Sequence, residues 1–148
     1  MERSLVTKEV VRTDVSKWIG KNILIAEDIE LNFLYLRELL KSTGVKIIRA
    51  QNGKEAVQYC MEDHKVDLVL MDLLMPIMNG YEATRQIKRF RQDLPIIAQT
   101  AYVISEDRSH AIAAGCDDFI AKPIGKEDLF RKIDRLLNQN KEKEVQLK

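Results

Sequence analysis

An α/β fold with a doubly wound parallel sheet is what three features of this 148-residue chain predict. Short apolar runs alternate five times with segments of helical period. Most of those runs are near-continuous in Val, Ile and Leu, as expected for strands covered on both faces. Gly, Asn and Ser punctuate the joints between the two kinds of segment. Such a succession of β–α units implies parallel strands between two helical layers.

Taken in order, Asn22 to Ala26 (NILIA) reads as the first strand. Phe33, Leu36 and Leu40 then share one helical face, and Gly44 ends that helix. Val45 to Ala50 (VKIIRA) is the second strand; Asn52-Gly53 opens a helix with Ala56, Val57 and Cys60 on its apolar face. Val66 to Met71 (VDLVLM) is the third, and Asn79-Gly80 precedes a helix that turns Ala83, Ile87 and Phe90 inward. Pro95 to Thr100 (PIIAQT) is the fourth; Ser105 is a candidate N-cap for the next helix and Gly115 closes it. Asp117 to Ala121 (DDFIA) is the fifth, followed by a helix burying Leu129, Ile133 and Leu136. Residues 1–20 read as an N-terminal linker or arm, with Trp18 and Ile19 pinned onto the domain. The domain itself spans 21–138, and 139–148 is a polar C-terminal tail expected to fray.

Composition narrows the function classes. With 45% hydrophobic and 32% charged residues the chain has a soluble globular profile. A chain this long buries about two-thirds of its unfolded surface, so its core needs no disulfide or metal staple. The net charge of +1 gives no general pull toward nucleic acid or membrane. Cys60 and Cys116 stand far apart without a CxxC motif, which fits a reducing compartment. No apolar run reaches the roughly 18 residues of a membrane span, and the N-terminus lacks a signal-peptide core. A cytoplasmic location is expected.

Ligands of an open parallel sheet bind at the carboxyl ends of its strands. There the chain places Glu27 and Asp28, then Asp72 within MDLLMPIMNG, then Thr100 and Lys122. Singly each has an ordinary reading: Asp28 as a helix cap, Thr100 and Lys122 as surface groups, Asp72 as cap, metal ligand or nucleophile. Together they form a cluster whose carboxylates repel and must be offset by cations. Lys122 supplies one positive charge, and an all-oxygen ligand set points to Mg²⁺ for more. A divalent ion, a Lys, a Thr and a carboxylate make a phosphoryl-transfer site, with Asp72 the best nucleophile.

These residues resemble a known family, the receiver domain of two-component response regulators. The likeness covers residues 22–138 and rests on ILIAED, LVLMDLLMP, the pair Thr100-Ala101, and Phe119 with Lys122-Pro123 in DDFIAKPI. It implies a flavodoxin-like (βα)5 sandwich with strand order 2-1-3-4-5. It further implies that Asp72 takes a phosphoryl group from a phosphohistidine and that Asp28 binds Mg²⁺ directly. Glu27 would act through water, the Leu74 carbonyl would complete the metal ligands, and Lys122 would contact Asp72 and then the phosphoryl group. Thr100 and Phe119 resemble the switch pair, and Pro123 the cis proline. AEDIELNFLYL and PIIAQTAYV look most like receivers fused to hybrid sensor histidine kinases; a stand-alone single-domain regulator is the alternative. The implied partner is a phosphohistidine-bearing kinase or histidine phosphotransfer domain docking near the first helix, with a weak homodimer a further possibility. Leu31, Phe33, Leu34 and Tyr35 cannot all face inward there.

Leu74 and Tyr102 are bulkier than the polar types often found at those places, and would flank the path of a hydrolytic water. A long-lived aspartyl phosphate is the expectation. His64 and His110 do not make a kinase, so the domain would catalyse only its own phosphorylation and dephosphorylation. Arg85, Lys88, Arg89 and Arg91 read as a wet helix face, and Met71, Met75 and Met78 as packing. Three competitors remain. A flavin module would need a phosphate cradle where Glu27 and Asp28 stand. An aspartate-nucleophile phosphatase usually carries a second acid at the place of Leu74. A degenerate interaction domain would not keep all five site groups.

Overall fold

The near-continuous apolar segments do form strands, and the sheet they build is fully parallel. The computed structural model describes residues 17–62, 65–101 and 105–147. Strands β1 (Asn22–Ala26), β2 (Lys46–Ala50), β3 (Leu68–Asp72), β4 (Ile96–Thr100) and β5 (Asp118–Ala121) pair in the order 2-1-3-4-5. Between and after them run α1 (Glu30–Leu40), α2 (Gly53–Met61), α3 (Gly80–Phe90), α4 (Ser105–Ala114) and α5 (Lys126–Leu147). Just before β3, Asp67 and Asn22 bond each other twice: the Asp67 carboxylate takes the Asn22 N–H at 2.7 Å and the Asn22 carbonyl takes the Asp67 N–H at 2.8 Å. The far end of β3 takes in Asp72, so that acid is the last residue of the central strand.

Alternation along the strands sorts the core into two layers. Ile23 and Ile25 of β1, with Leu70 and Ile97, pack against Phe33, Leu36 and Leu40 of α1 and Leu129 and Ile133 of α5. Leu24 and Ala26, with Val69, Met71 and Ala98, pack against Ala56 and Cys60 of α2 and Ala83 and Ile87 of α3. Met71 and Met75 are buried in this second layer, with Met78 packed against it. Phe90 departs from expectation: it is 43% exposed in the last turn of α3, while Val66 and Leu94 fill the core. Both cysteines are free and buried, and burial pushes each thiol up to about 11.

Helix starts follow side-chain chemistry at two places. Asn52 accepts the Glu55 N–H at 2.9 Å, and the Glu55 carboxylate takes the Gln51 N–H in return. Asn79 accepts the Glu82 N–H at 2.9 Å. Helix α4 begins at Ser105 itself rather than one residue after it. Trp18 is buried edge-on against Phe130, ring centroids 5.2 Å apart, whereas Ile19 is 68% exposed. The segment expected as a fraying tail continues α5 to Leu147; from Lys126 to Leu147 it holds no Gly or Pro and is rich in Glu, Lys and Leu.

Gly80 shows why an Asn-Gly pair follows the third strand. A Cβ at this first residue of α3 would stand 2.2 Å from the Asp72 carbonyl oxygen and 2.8 Å from the Leu73 Cα. Gly80→Ala should therefore lower unfolding stability by about 1–3 kcal/mol, the usual range for overpacking. Urea denaturation measures this; an unchanged midpoint would show that the loop yields without strain.

Candidate functional site

Parallel pairing brings the strand ends level, and side chains distant in sequence meet there. The Lys122 ammonium, just past β5, donates to Asp72 Oδ2 at 3.2 Å and to Glu27 Oε1 at 3.3 Å. Glu27 is fully buried and Asp72 only 6% exposed. The other oxygen of Asp72, Oδ1, accepts the Leu74 N–H at 3.2 Å. Carboxylate oxygens of Glu27, Asp28 and Asp72 all lie within 4.8 Å of one another. The predicted acidic cluster with its lysine is therefore present as a cluster.

Its charge is not balanced by the protein. Among the described residues one ammonium faces three carboxyl groups, and both Glu27 Oε2 and Asp28 Oδ1 are buried without a hydrogen-bond partner. Unpartnered buried carboxylate oxygens are costly, and an oxygen-seeking divalent cation satisfies them. Asp28 is not spent as a helix cap, for α1 is capped by Ile29 with no side-chain hydrogen bond. Burial pushes the Glu27 carboxyl up to about 7; its hydrogen bond with Asp72 and the charge of Asp72 add to this, and Lys122 and Asn32 oppose it.

The remaining candidates surround this centre. Thr100 is the half-buried last residue of β4, and its carbonyl accepts the Lys122 N–H at 2.8 Å. Phe119 is half-buried, with the Arg108 guanidinium 4.3 Å from its ring centroid and the Lys132 ammonium at 5.5 Å. The Lys122-Pro123 bond is cis. The Leu74 side chain is 72% exposed. Tyr102 and His64 lie outside the described residues. On α1, Leu31 and Tyr35 face outward, Phe33 is buried and Leu34 half-buried. His110 is exposed, its ring edge-on to Tyr81.

Two polar residues near the site escaped the sequence reading, and two basic residues were misplaced by it. Arg49 donates to the backbone carbonyls of Glu27 and Asp28 and lies 4.9 Å over the Phe33 ring, fixing the β1–α1 turn. Asn32 stands near the Glu27 carboxyl and favours its charged form. Lys88 and Arg91 are not solvated: Lys88 holds Asp117 at 2.8 Å and the Leu94 carbonyl at 2.7 Å, and Arg91 the Val66 carbonyl at 2.9 Å. Carbonyls of the loop after α3 draw in Lys88, and the Val66 carbonyl just before β3 draws in Arg91.

A carboxyl group whose folded pKa is raised stabilises the fold below its ordinary value near 4.5 and loses that contribution as pH climbs toward 7. In metal-free buffer the wild-type protein should thus lose urea stability between about pH 5 and 7 relative to Glu27→Gln. Parallel pH profiles for the two would contradict this account of Glu27.

Comparison with known proteins agrees with the geometry. The family model described as "Response regulator receiver domain" matches residues 23–134. "Probable histidine kinase 6" of Oryza sativa subsp. japonica is 34% identical over 147 residues; that stretch covers 86% of this chain but 15% of the relative. This chain thus spans about one-seventh of that protein's length. The receiver domain of the sensor histidine kinase PA1611 from Pseudomonas aeruginosa PAO1, with a magnesium ion coordinated in its active site cleft, superposes with a TM-score of 0.75. It is 34% identical, and the match covers 80% of this chain and 98% of that one. The receiver domain of Saccharomyces cerevisiae Ssk1, crystallised with the histidine phosphotransfer protein Ypd1, has a TM-score of 0.72 at 30% identity, covering 78% of this chain and 88% of that one. With the strand order and acidic centre described above, these matches place the chain in the response regulator receiver domain family.

Proposed function

We propose that this domain is the phosphoacceptor of a phosphorelay and that Asp72 is the residue phosphorylated. One observation carries the reading: an almost buried carboxylate is held by Lys122 beside two unpartnered carboxylate oxygens. A carboxylate oxygen of Asp72 attacks phosphorus in line, an O–P bond forms, and the P–N bond to the donor imidazole breaks. The donor ring, protonated on its other nitrogen before transfer, leaves as neutral imidazole with the electron pair of that bond. Lys122 keeps Asp72 oriented and offers its charge to the phosphoryl oxygens as they arrive.

Glu27, Asp28, Asp72 and the Leu74 carbonyl are assigned to Mg²⁺, which when bound would neutralise phosphoryl oxygens. The unpartnered oxygens of Glu27 and Asp28 suit that ion. Thr100, through its hydroxyl, would follow the new phosphoryl group, and Phe119 would turn inward from beneath Arg108 as the loop population shifts. The unit of function is residues 21–138, with 1–20 as arm and 139–148 as appended segment. The partner is a cytoplasmic phosphohistidine domain of a kinase or phosphotransfer protein, and the Ypd1–Ssk1 complex supports that choice. Its docking surface includes Leu31, exposed on α1. Likeness to a histidine kinase supports a hybrid-kinase origin.

Incubation with Mg²⁺ and phosphoramidate, followed by intact mass measurement, tests the assignment. One phosphoryl increment is expected, lost in Asp72→Ala and in EDTA; labelling that survives Asp72→Ala would refute it. Steady hydrolysis of small phosphoesters would instead favour a phosphatase. Leu74 and Tyr102 should slow hydrolysis of the phosphoprotein. Replacing them together by Asn and Glu should shorten its lifetime on the order of tenfold, equivalent to about 1.4 kcal/mol of barrier. An unchanged decay rate disposes of the steric idea.

A further inference from the structure

Gln99 breaks the chemistry of its layer. It lies on β4 two residues past Ile97, on the sheet face that packs against α1 and α5, where its cross-strand neighbours are Asp72 at the end of β3 and Ile120 on β5. It is 1% exposed, and among the described residues neither its amide nitrogen nor its amide oxygen has a hydrogen-bond partner. A buried amide with both ends unsatisfied is rare and costly.

The same residue lines a cavity of about 230 Å³ beside the acidic centre. Leu36, Pro123, Ile124 and the Tyr35 ring give it apolar walls, and Asn32 and Lys122 complete it. The Tyr35 hydroxyl donates to the Ile124 carbonyl, closing the space between α1 and the β5–α5 loop. Lys122 brings no unmet charge, because its ammonium already serves Glu27 and Asp72. The volume is below the roughly 300 Å³ at which drug-sized ligand sites begin.

We infer that this cavity is a binding site for a small neutral ligand carrying a carboxamide or lactam edge on an apolar body. Such an edge offers one donor and one acceptor side by side, the complement of the two open groups of Gln99. The apolar body meets the Leu36, Pro123 and Ile124 walls. An anion finds no free cation here, and a pure hydrocarbon leaves the amide unsatisfied. Occupancy is also felt at Lys122, which the cavity shares with the acidic centre. Ligand binding itself does not depend on Asp72 being phosphorylated.

Benzamide is the probe, with benzoate and toluene as controls, followed by ¹H–¹⁵N chemical shifts of the whole chain. Benzamide should saturate with a Kd on the order of 1 mM, as suits a fragment-sized ligand. The shifts should centre on the Gln99 side-chain NH₂, Asn32 and Ile124, with benzoate and toluene at least tenfold weaker. Gln99→Leu should abolish benzamide binding. It should also raise Tm by about 3 °C or more, because an unsatisfied amide gives way to a side chain matching its layer. Benzamide binding unchanged in Gln99→Leu, shifts confined to other surfaces, or no saturation overturns the site. A fall in Tm on that substitution also overturns it, since the amide would then have been satisfied without a ligand.

Discussion

The structure turns on one ammonium group between two buried carboxylates. Glu27 and Asp72 end neighbouring strands and are almost wholly removed from water. Two like charges about 4 Å apart at an effective dielectric near 20 repel by on the order of 4 kcal/mol. Lys122 reaches both from β5, on the other side of β4, so the 2-1-3-4-5 order is what makes the bridge possible. A sheet with β5 at any other place would leave the acids without their cation.

That bridge offsets the repulsion only in part, and the remainder is what gives the site its use. Removing water from Glu27 favours its protonated form, while a cation favours the charged form. The metal-free protein therefore holds its acids under electrostatic strain that a divalent ion relieves. Arg49 keeps the β1–α1 turn in place while this strain exists, its guanidinium on the backbone carbonyls of Glu27 and Asp28. Affinity for a cation and reduced stability without it are the same free energy seen from two sides.

The strands and the acidic centre were legible because each rests on residue type at a place that topology fixes, whereas the strand order came only through the family resemblance. NILIA, LVLMD and IIAQT are apolar enough to be strands whatever surrounds them, and the acids sit at the ends of the first two. What escaped depends on contacts between segments. Phe90 has the right spacing for the core but the wrong place along its helix, where Leu94 already fills the layer. Lys88 looked solvated until the carbonyls of the following loop and Asp117 came within its reach. Arg49 in KIIRA and Gln99 in IIAQT did carry a signal: each is a polar residue inside a strand pattern, and each has a particular use or an unmet need.

Trp18 anchors the chain at the amino end of the sheet, its backbone N–H on the Thr43 carbonyl and its ring against Phe130. The five residues of β1 then carry the chain about 15 Å to the pole where Glu27 and Asp72 lie. Trp18 and the acidic centre therefore stand at opposite ends of the first strand, and a body that comes face to face with Asp72 meets the strand-end loops and not the Trp18–Phe130 contact.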